Sequence, residues 1–372
     1  MFYFDHNATT PVSAEVLEAM LPIMTEVYGN ASSIHHFGQA ARQKLDDARR
    51  RVAAMLGASA DEIVFTSGGT EGDNLAVMGI GGHAITTTIE HPAVLGACAQ
   101  VTSVTRVAVD GRGVVDPDAI RRALRPDTKI ISVMHANNEL GVIQPVAEIA
   151  RIAHEAGAAM HSDGAQAAGK IPVNVAELGV DLYSICGHKF YAPKGVGALY
   201  VRKGTKLAPM MHGGHHERDR RAGTENVPGA VALGRAAQWI IDEGPAEWTR
   251  VESLRNRLEQ GILDRVPGAY VNGAGAPRTP NTSNIRFDGV DSEPLLIALD
   301  LRGFAVSSGS ACSSGAQEPS HVLTAIGLTK EQARSSIRFS LGRSNDVEQV
   351  HALIEAVVES VAHLRKLAPA HA

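Results

Sequence analysis

The sequence predicts an α/β protein: a large domain on a mainly parallel seven-stranded sheet, with a smaller α+β domain beside it. Three observations carry this reading. Short β-branched runs alternate with segments of helical period over the first two thirds of the chain; several of the runs are continuously apolar, as strands buried on both faces are; and the alternation changes character near Pro245. The 372 residues suffice for two domains of roughly 100 to 200 residues each. The large domain is expected over 12–245, and the small one over 1–11 together with 246–372.

In chain order, strands are expected at 62–66, 84–88, 105–109, 130–135, 159–162, 181–185 and 197–201. Helices are expected between them at 40–55, 116–124 and 145–156. Beyond Pro245 an amphipathic helix over 247–263 leads into a Gly/Pro-rich turn at 272–280 and a strand at 283–287. A helix at 293–301, a loop of small residues at 307–315, a strand at 336–340 and a closing helix at 346–367 complete the pattern.

Composition narrows the function classes. The 35 Lys and Arg against 40 Asp and Glu give a net charge of −5, so no global basic field points to nucleic acid or anionic lipid. Three cysteines, Cys98, Cys186 and Cys312, cannot build a disulfide framework and fit a reducing compartment. The opening residues Met1 to Thr10 lack the basic and apolar regions of a secretory signal, and no apolar run approaches the ~18 residues that span a bilayer. A cytoplasmic protein with no membrane and no direct nucleic-acid partner is expected.

Chemistry concentrates where strands end, the place where open α/β sheets bind ligands. After the strand at 62–66 comes Ser67-Gly68-Gly69-Thr70-Glu71-Gly72-Asp73-Asn74, able to present backbone N–H groups and the Thr70 hydroxyl to a phosphate, or to be a helix start capped by Thr70. Glu90-His91-Pro92 leaves an imidazole at the sheet's edge, and Asp163 ends its strand with Gln166 one helical turn on. Ser184-Ile185-Cys186-Gly187-His188-Lys189 delivers a lysine from a buried strand, and burial lowers a lysine's pKa toward that of a nucleophilic amine. Such a lysine suits a Schiff base with pyridoxal 5'-phosphate, and Asp163 then has a role opposite the protonated ring nitrogen.

Together these residues resemble the pyridoxal-phosphate enzymes of aminotransferase fold type I, class V. Asp5 to Pro11, Thr66 to Asn74, Asn137-Asn138-Glu139, Gly187-His188-Lys189, Arg221 to Asn226, Ser308 to Cys312 and Ser336 to Ser340 resemble the cysteine desulfurases, specifically the long-loop group serving iron–sulfur cluster and nitrogenase assembly. The resemblance implies that Lys189 is the Schiff-base lysine, Asp163 the partner of the ring nitrogen, His91 the stacking and proton-moving residue and Gln166 a contact of the ring hydroxyl. It places Gly69, Thr70, Cys186 and His188 around the cofactor, with Thr224 reaching the phosphate of the neighbouring subunit in a homodimer. Cys186 stands where many relatives carry Ser, and a thiol is a weak donor. Asn138 and Arg338 match the pair that fixes the substrate carboxylate.

Cys312 lies in Ser307 to Gly315, a run too small and polar to pack a core; the resemblance makes it the catalytic thiol that receives sulfur from L-cysteine as a persulfide, releases L-alanine and passes the sulfur to an acceptor such as an iron–sulfur scaffold protein. Cys98, within a helical segment, reads as a core residue. A selenocysteine lyase, another class V aminotransferase, and a retired frame acting as scaffold or regulator are the alternatives. The segments between Asn74 and His91 and between His91 and Asp110 are short against the family, though no motif is lost. His212-Gly213-Gly214-His215-His216-Glu217 has zinc-ligand residue types, but it matches a family loop near the dimer interface and no metal is expected.

Overall fold

The computed structural model describes residues 1–309 and 319–367. In chain order its strands are β1 (Phe2–Tyr3), β2 (Ile63–Thr66), β3 (His83–Thr87), β4 (Ser103–Val107), β5 (Thr128–Ser132), β6 (Ala159–Asp163), β7 (Leu182–Cys186), β8 (Gly197–Val201), β9 (Ala269–Val271), β10 (Thr282–Phe287), β11 (Phe304–Ala305) and β12 (Ser336–Ser340). Its helices are α1 (Ala14–Thr25), α2 (His36–Leu56), α3 (Gly69–Ile80), α4 (Pro92–Cys98), α5 (Pro117–Ala123), α6 (Val146–Glu155), α7 (Val175–Leu178), α8 (Val227–Leu263), α9 (Ser292–Leu301), α10 (His321–Ala325), α11 (Lys330–Arg334) and α12 (Val347–Leu367).

Seven strands form the large sheet in the order β2-β8-β7-β6-β5-β3-β4, parallel except for β8, which runs antiparallel to both neighbours. Successive side chains alternate faces. Ile63, Phe65, Ile131 and Tyr183 therefore meet α2, α6 and α8 on one side, while Val64, Ile130, Leu182 and Leu199 meet α3 and α4 on the other. Cys98 belongs to this second layer and is buried, as a core thiol should be.

A separate apolar cluster gathers Phe4, Leu258, Phe287, Leu295, Phe339 and Val357 around the antiparallel sheet β12-β10-β9, with β1 and β11 paired in parallel beside it. The expected helix over 247–263 is the second half of α8, which runs for 37 residues through Pro245 and joins both clusters. Its first half is hard to read because it packs through small residues. A Cβ on Gly234 would stand 2.7 Å from the Ala48 backbone, so α2 and α8 approach too closely for a large apolar stripe.

The segment before α8 is fixed by a buried ion pair. Glu217 accepts from Arg49 at 2.6 and 2.7 Å and from the Phe65 N–H at 2.9 Å, with Arg49 also bonded to the Ile63 carbonyl. Glu217, Arg218 and Asp219 hold φ values of 44°, 57° and 64°, a left-handed run that non-glycine residues adopt only when their surroundings enforce it. Glu217 is thus committed to Arg49, which removes the carboxylate from the zinc-type cluster of His212, His215 and His216. Glu217→Ala strands the Arg49 charge and should destabilise the protein by about 3–5 kcal/mol, whereas Arg49→Met with Glu217→Ala should recover much of the loss; urea unfolding of the single and double variants measures both.

Candidate active site

The carboxyl ends of β2, β3, β6 and β7 open into one cavity of about 310 Å³. Gly69, Thr70, His91, Asn138, Asp163, Gln166, Cys186, His188, Lys189 and Arg338 all line it. Thr224 does not: it is exposed in the segment leading to α8. Cys312 and its neighbours from 310 to 318 lie outside the described residues. The cavity also takes Asn7, Ala8, Asp73, Met134, Ala165 and Gly309, to which sequence reasoning gave no role.

Lys189 leaves β7 through a single 3₁₀ turn, Gly187–Lys189. The next turn is forced by Tyr191 at φ 71°, held by its N–H to Thr10 Oγ1 at 2.7 Å and by its hydroxyl, which accepts from the Arg343 N–H at 2.7 Å. Lys189 Nζ donates to the carbonyls of Asn7 and Ala8 at 2.7 and 2.8 Å. Burial moves its pKa down, Arg338 adding to the effect while Cys186 and Asp163 oppose it.

Asp163 ends β6 and accepts from the Ala165 N–H at 2.9 Å. His91 caps α4, accepting from the Ala93 N–H through Nδ1 at 3.1 Å, an arrangement that leaves the neutral ring's proton on Nε2. Burial lowers the His91 pKa, with Lys189 and His321 adding to this against the Asp163 charge. Asp73 lies beneath them, and the ligand atoms of Asp73, His91 and Asp163 fall within 4.8 Å of one another.

The reading of Thr70 as a helix cap is corrected. The helix starts two residues earlier, with Gly68 at its N-cap, so Thr70 sits inside the first turn and faces the cavity. Asp73, three residues on, is buried, and burial reinforced by the Asp163 charge holds its carboxyl well above the usual range. Its neighbour His161, 3.6 Å away, is pushed by burial to about 3, so this contact joins two neutral groups rather than an ion pair. His161 is fixed between the hydroxyls of Ser132 and Ser184 at 2.8 and 3.0 Å.

On the opposite wall Arg338 donates to the Asn138 carbonyl at 3.0 Å and to Asp5 at 2.6 Å, while its buried Nε has no partner among the described residues. His188 bonds Thr9 through Nδ1 at 3.1 Å and is held by burial and neighbouring lysines at about 4, a neutral ring. The Cys186 thiol is pushed up by burial, against the N–H groups of Gly69 and His188, and so stays protonated. Gln166 donates to the Asn7 carbonyl at 3.0 Å and accepts from the buried Lys170. Lys170 and Asn7 left no sequence signal beyond their places in motif-rich stretches, since their partners are distant in the chain.

A strand-end lysine, a carboxylate on the adjacent strand and a guanidinium facing them are the site features of the class V aminotransferases, and residues 2–353 match the family model for aminotransferase class V. A protein of Dictyoglomus turgidum described as cysteine desulfurase IscS is 47% identical across 99% of this chain and 96% of its own, and the chain belongs to the cysteine desulfurase family within that class. Among solved structures, a NifS-like protein superposes with a TM-score of 0.90 at 37% identity, covering 97% of this chain and 99% of that one. A structure described as SspA in complex with cysteine gives 0.82 at 35% identity, covering 92% and 99%.

Glu90, preceding His91, accepts from Thr87 Oγ1 at 2.6 Å and from the Met134 N–H at 3.0 Å, and burial raises its pKa from 4.5 to about 8. The protonated carboxyl is favoured in the folded state, so its stabilisation is full below pH 4.5 and lost as pH rises through 8. Glu90→Gln carries no such dependence. Its stability relative to the parent should therefore increase steadily between those pH values, which paired urea titrations will show.

Proposed function

We propose that this chain is a pyridoxal-phosphate-dependent cysteine desulfurase that converts L-cysteine to L-alanine and passes the sulfur on through a persulfide on Cys312. The observation that carries the reading is the placement of Lys189 and Asp163 at adjacent strand ends on one cavity, with Arg338 on its far wall. The residues present fit the cofactor. The first turn of α3 begins at Gly68, which has no side chain to fill the space beside Thr70 and His188, and a helix N-terminus there suits a phosphate.

Lys189 would hold the cofactor covalently, Asp163 its ring nitrogen, and Gln166 and His91 its ring. When bound, pyridoxal phosphate supplies an electron-withdrawing ring that stabilises negative charge at the substrate Cα. Arg338 and Asn138 hold the substrate carboxylate, and Arg338 Nε, without a partner among the described residues, is a donor suited to an anion. Lys189, its basicity reduced by burial, takes the Cα proton at low cost. His91 offers Nε2 for proton exchange with a thiol. The sulfur of Cys312 attacks the substrate sulfur: an S–S bond forms, the Cβ–S bond breaks, and its electron pair remains on carbon, which is protonated to give alanine.

Homodimerisation is part of the proposal, supported by the exposed position of Thr224, which on one chain touches no part of the cavity. A scaffold protein for iron–sulfur clusters is the proposed sulfur acceptor. A cytoplasmic location is proposed as well; among the described residues no helix is long and apolar enough to cross a membrane.

Incubation with pyridoxal phosphate, L-cysteine and a reductant should release alanine and sulfide together. Lys189→Ala should lose the visible absorbance of the lysine-bound cofactor, and Cys312→Ala should lose sulfide release; release at the parental rate would overturn the persulfide role. Arg338→Ala should raise KM for cysteine by about tenfold to a hundredfold, the worth of charge-assisted hydrogen bonds to a carboxylate, as steady-state kinetics will read.

A further inference from the structure

We propose that Lys170 is a positioning residue for the cofactor site: it holds the oxygen of the Gln166 amide and so keeps the amide nitrogen as the donor offered to the ring. This rests on the reading of the cavity as a pyridoxal-phosphate site with Gln166 beside the ring hydroxyl. Lys170 is 8% exposed, and its Nζ donates to Asn7 Oδ1 at 2.7 Å and to Gln166 Oε1. It stands behind the cavity wall, since Asn7, Gln166 and Lys189 line the cavity and Lys170 does not.

The chain brings the two side chains together by a turn after β6. The N–H groups of Ala167 and Ala168 donate to the Gly164 carbonyl at 3.0 and 2.8 Å, and that of Lys170 donates to the Ala167 carbonyl at 3.0 Å. Gly169 makes the reversal at φ 82°, so close to Phe190 that a Cβ would be 2.6 Å from the Phe190 Cβ. The orientation of the Gln166 amide then follows from what its neighbours can do. A backbone carbonyl only accepts, so the atom facing the Asn7 carbonyl at 3.0 Å is Nε2, and the oxygen end is turned to Lys170. Nε2 carries two N–H groups and this bond uses one, which leaves one donor on a side chain lining the cavity.

Of the two contacts Lys170 makes, the one to Gln166 is the one that depends on it. Asn7 is fixed without Lys170: its Nδ2 donates to the Asn138 carbonyl and the Thr282 hydroxyl at 3.1 and 2.9 Å, and its Oδ1 also accepts from Asn281 at 2.9 Å. Gln166 Oε1 has no other donor among the described residues. Without Lys170 that oxygen is buried and unpaired, and the amide relieves this by rotating its nitrogen away from the ring. The role is that of a donor rather than a charge. The charged groups around Lys170 are Lys189 and Arg338, which with burial hold it well below the usual lysine range, while His6 and His188 beside it are held at about 4, by burial first, and are neutral.

The test titrates the visible absorbance of the lysine-bound cofactor against pH in the holoenzyme, with no substrate present. A donor on the ring hydroxyl's oxygen favours its ionised form and eases loss of the proton it shares with the lysine nitrogen, so losing the donor raises the pH of that loss. Lys170→Met should raise the midpoint by about one pH unit, the worth of one hydrogen bond to a charged group, and Gln166→Leu by a similar amount. Lys170→Met combined with Gln166→Leu should titrate like Gln166→Leu alone, because without the amide Lys170 has nothing to turn. The double variant sets two apolar side chains in place of donor and acceptor, so it decides the matter should Lys170→Met alone fail to fold. A parental midpoint in Lys170→Met, or a further shift in the double variant beyond Gln166→Leu, overturns the inference. A parent protein that gains no visible absorbance with pyridoxal phosphate, or a Gln166→Leu variant that titrates like the parent, would instead overturn the reading on which it rests.

Discussion

Asn7 is the joint on which the site depends. Its carbonyl accepts from Lys189 and Gln166, its side-chain oxygen from Lys170 and Asn281, and its side-chain N–H groups go to the Asn138 carbonyl and the Thr282 hydroxyl. Its own N–H meets Ser340. One residue from the turn after β1 thus binds the strand-end lysine, the loop that offers Asn138, and two strands of the second apolar cluster. A buried network of this kind is stable only when every member is satisfied. That requirement makes the position of Lys189 relative to Arg338 a property of the whole assembly rather than of either sheet.

The electrostatics around this joint follow from the same burial. Lys170 has no carboxylate partner among the described residues and is held well below the usual lysine range, by burial first and then by the charges of Lys189 and Arg338. His135 and His161 are held neutral by burial alone, and Asp73 is kept protonated. Withdrawing these groups from the charged state concentrates the local field in a few members: Asp163, Arg338 and Asp5 among those lining or abutting the cavity. Ionic pairing of Arg338 with Asp5 places a cationic group at the wall without leaving it wholly uncompensated.

How much of this was legible in the sequence depended on range. The large sheet was readable because short runs rich in buried residues alternate with helical segments, and Asp163 closes β6 while Lys189 follows β7 by one short turn. The short strands β1, β9 and β11 have too few residues for any period to show. The first half of α8 was hidden because Gly234 and its alanine neighbours pack by closeness rather than by bulk. Asn7 and Asp73 fall within family motifs and Lys170 in none, but the role of each comes from partners far along the chain that no local pattern names. Thr70 was legible as a helix-start residue but its position in the turn was not, since glycine at Gly68 rather than a side chain begins the helix.

The continuity of α8 sets a rule for how this chain can vary in length. Each residue of an α-helix turns the chain by about 100° and advances it by about 1.5 Å. One residue added or removed between Val227 and Leu263 would rotate everything that follows, including β12 with Arg338 and the Ser307 bridged to it, away from the lysine they face. Length is therefore counted strictly along that helix. The loops at the outer ends of the large sheet carry no such phase, and they are where insertions and deletions can accumulate without moving the chemistry.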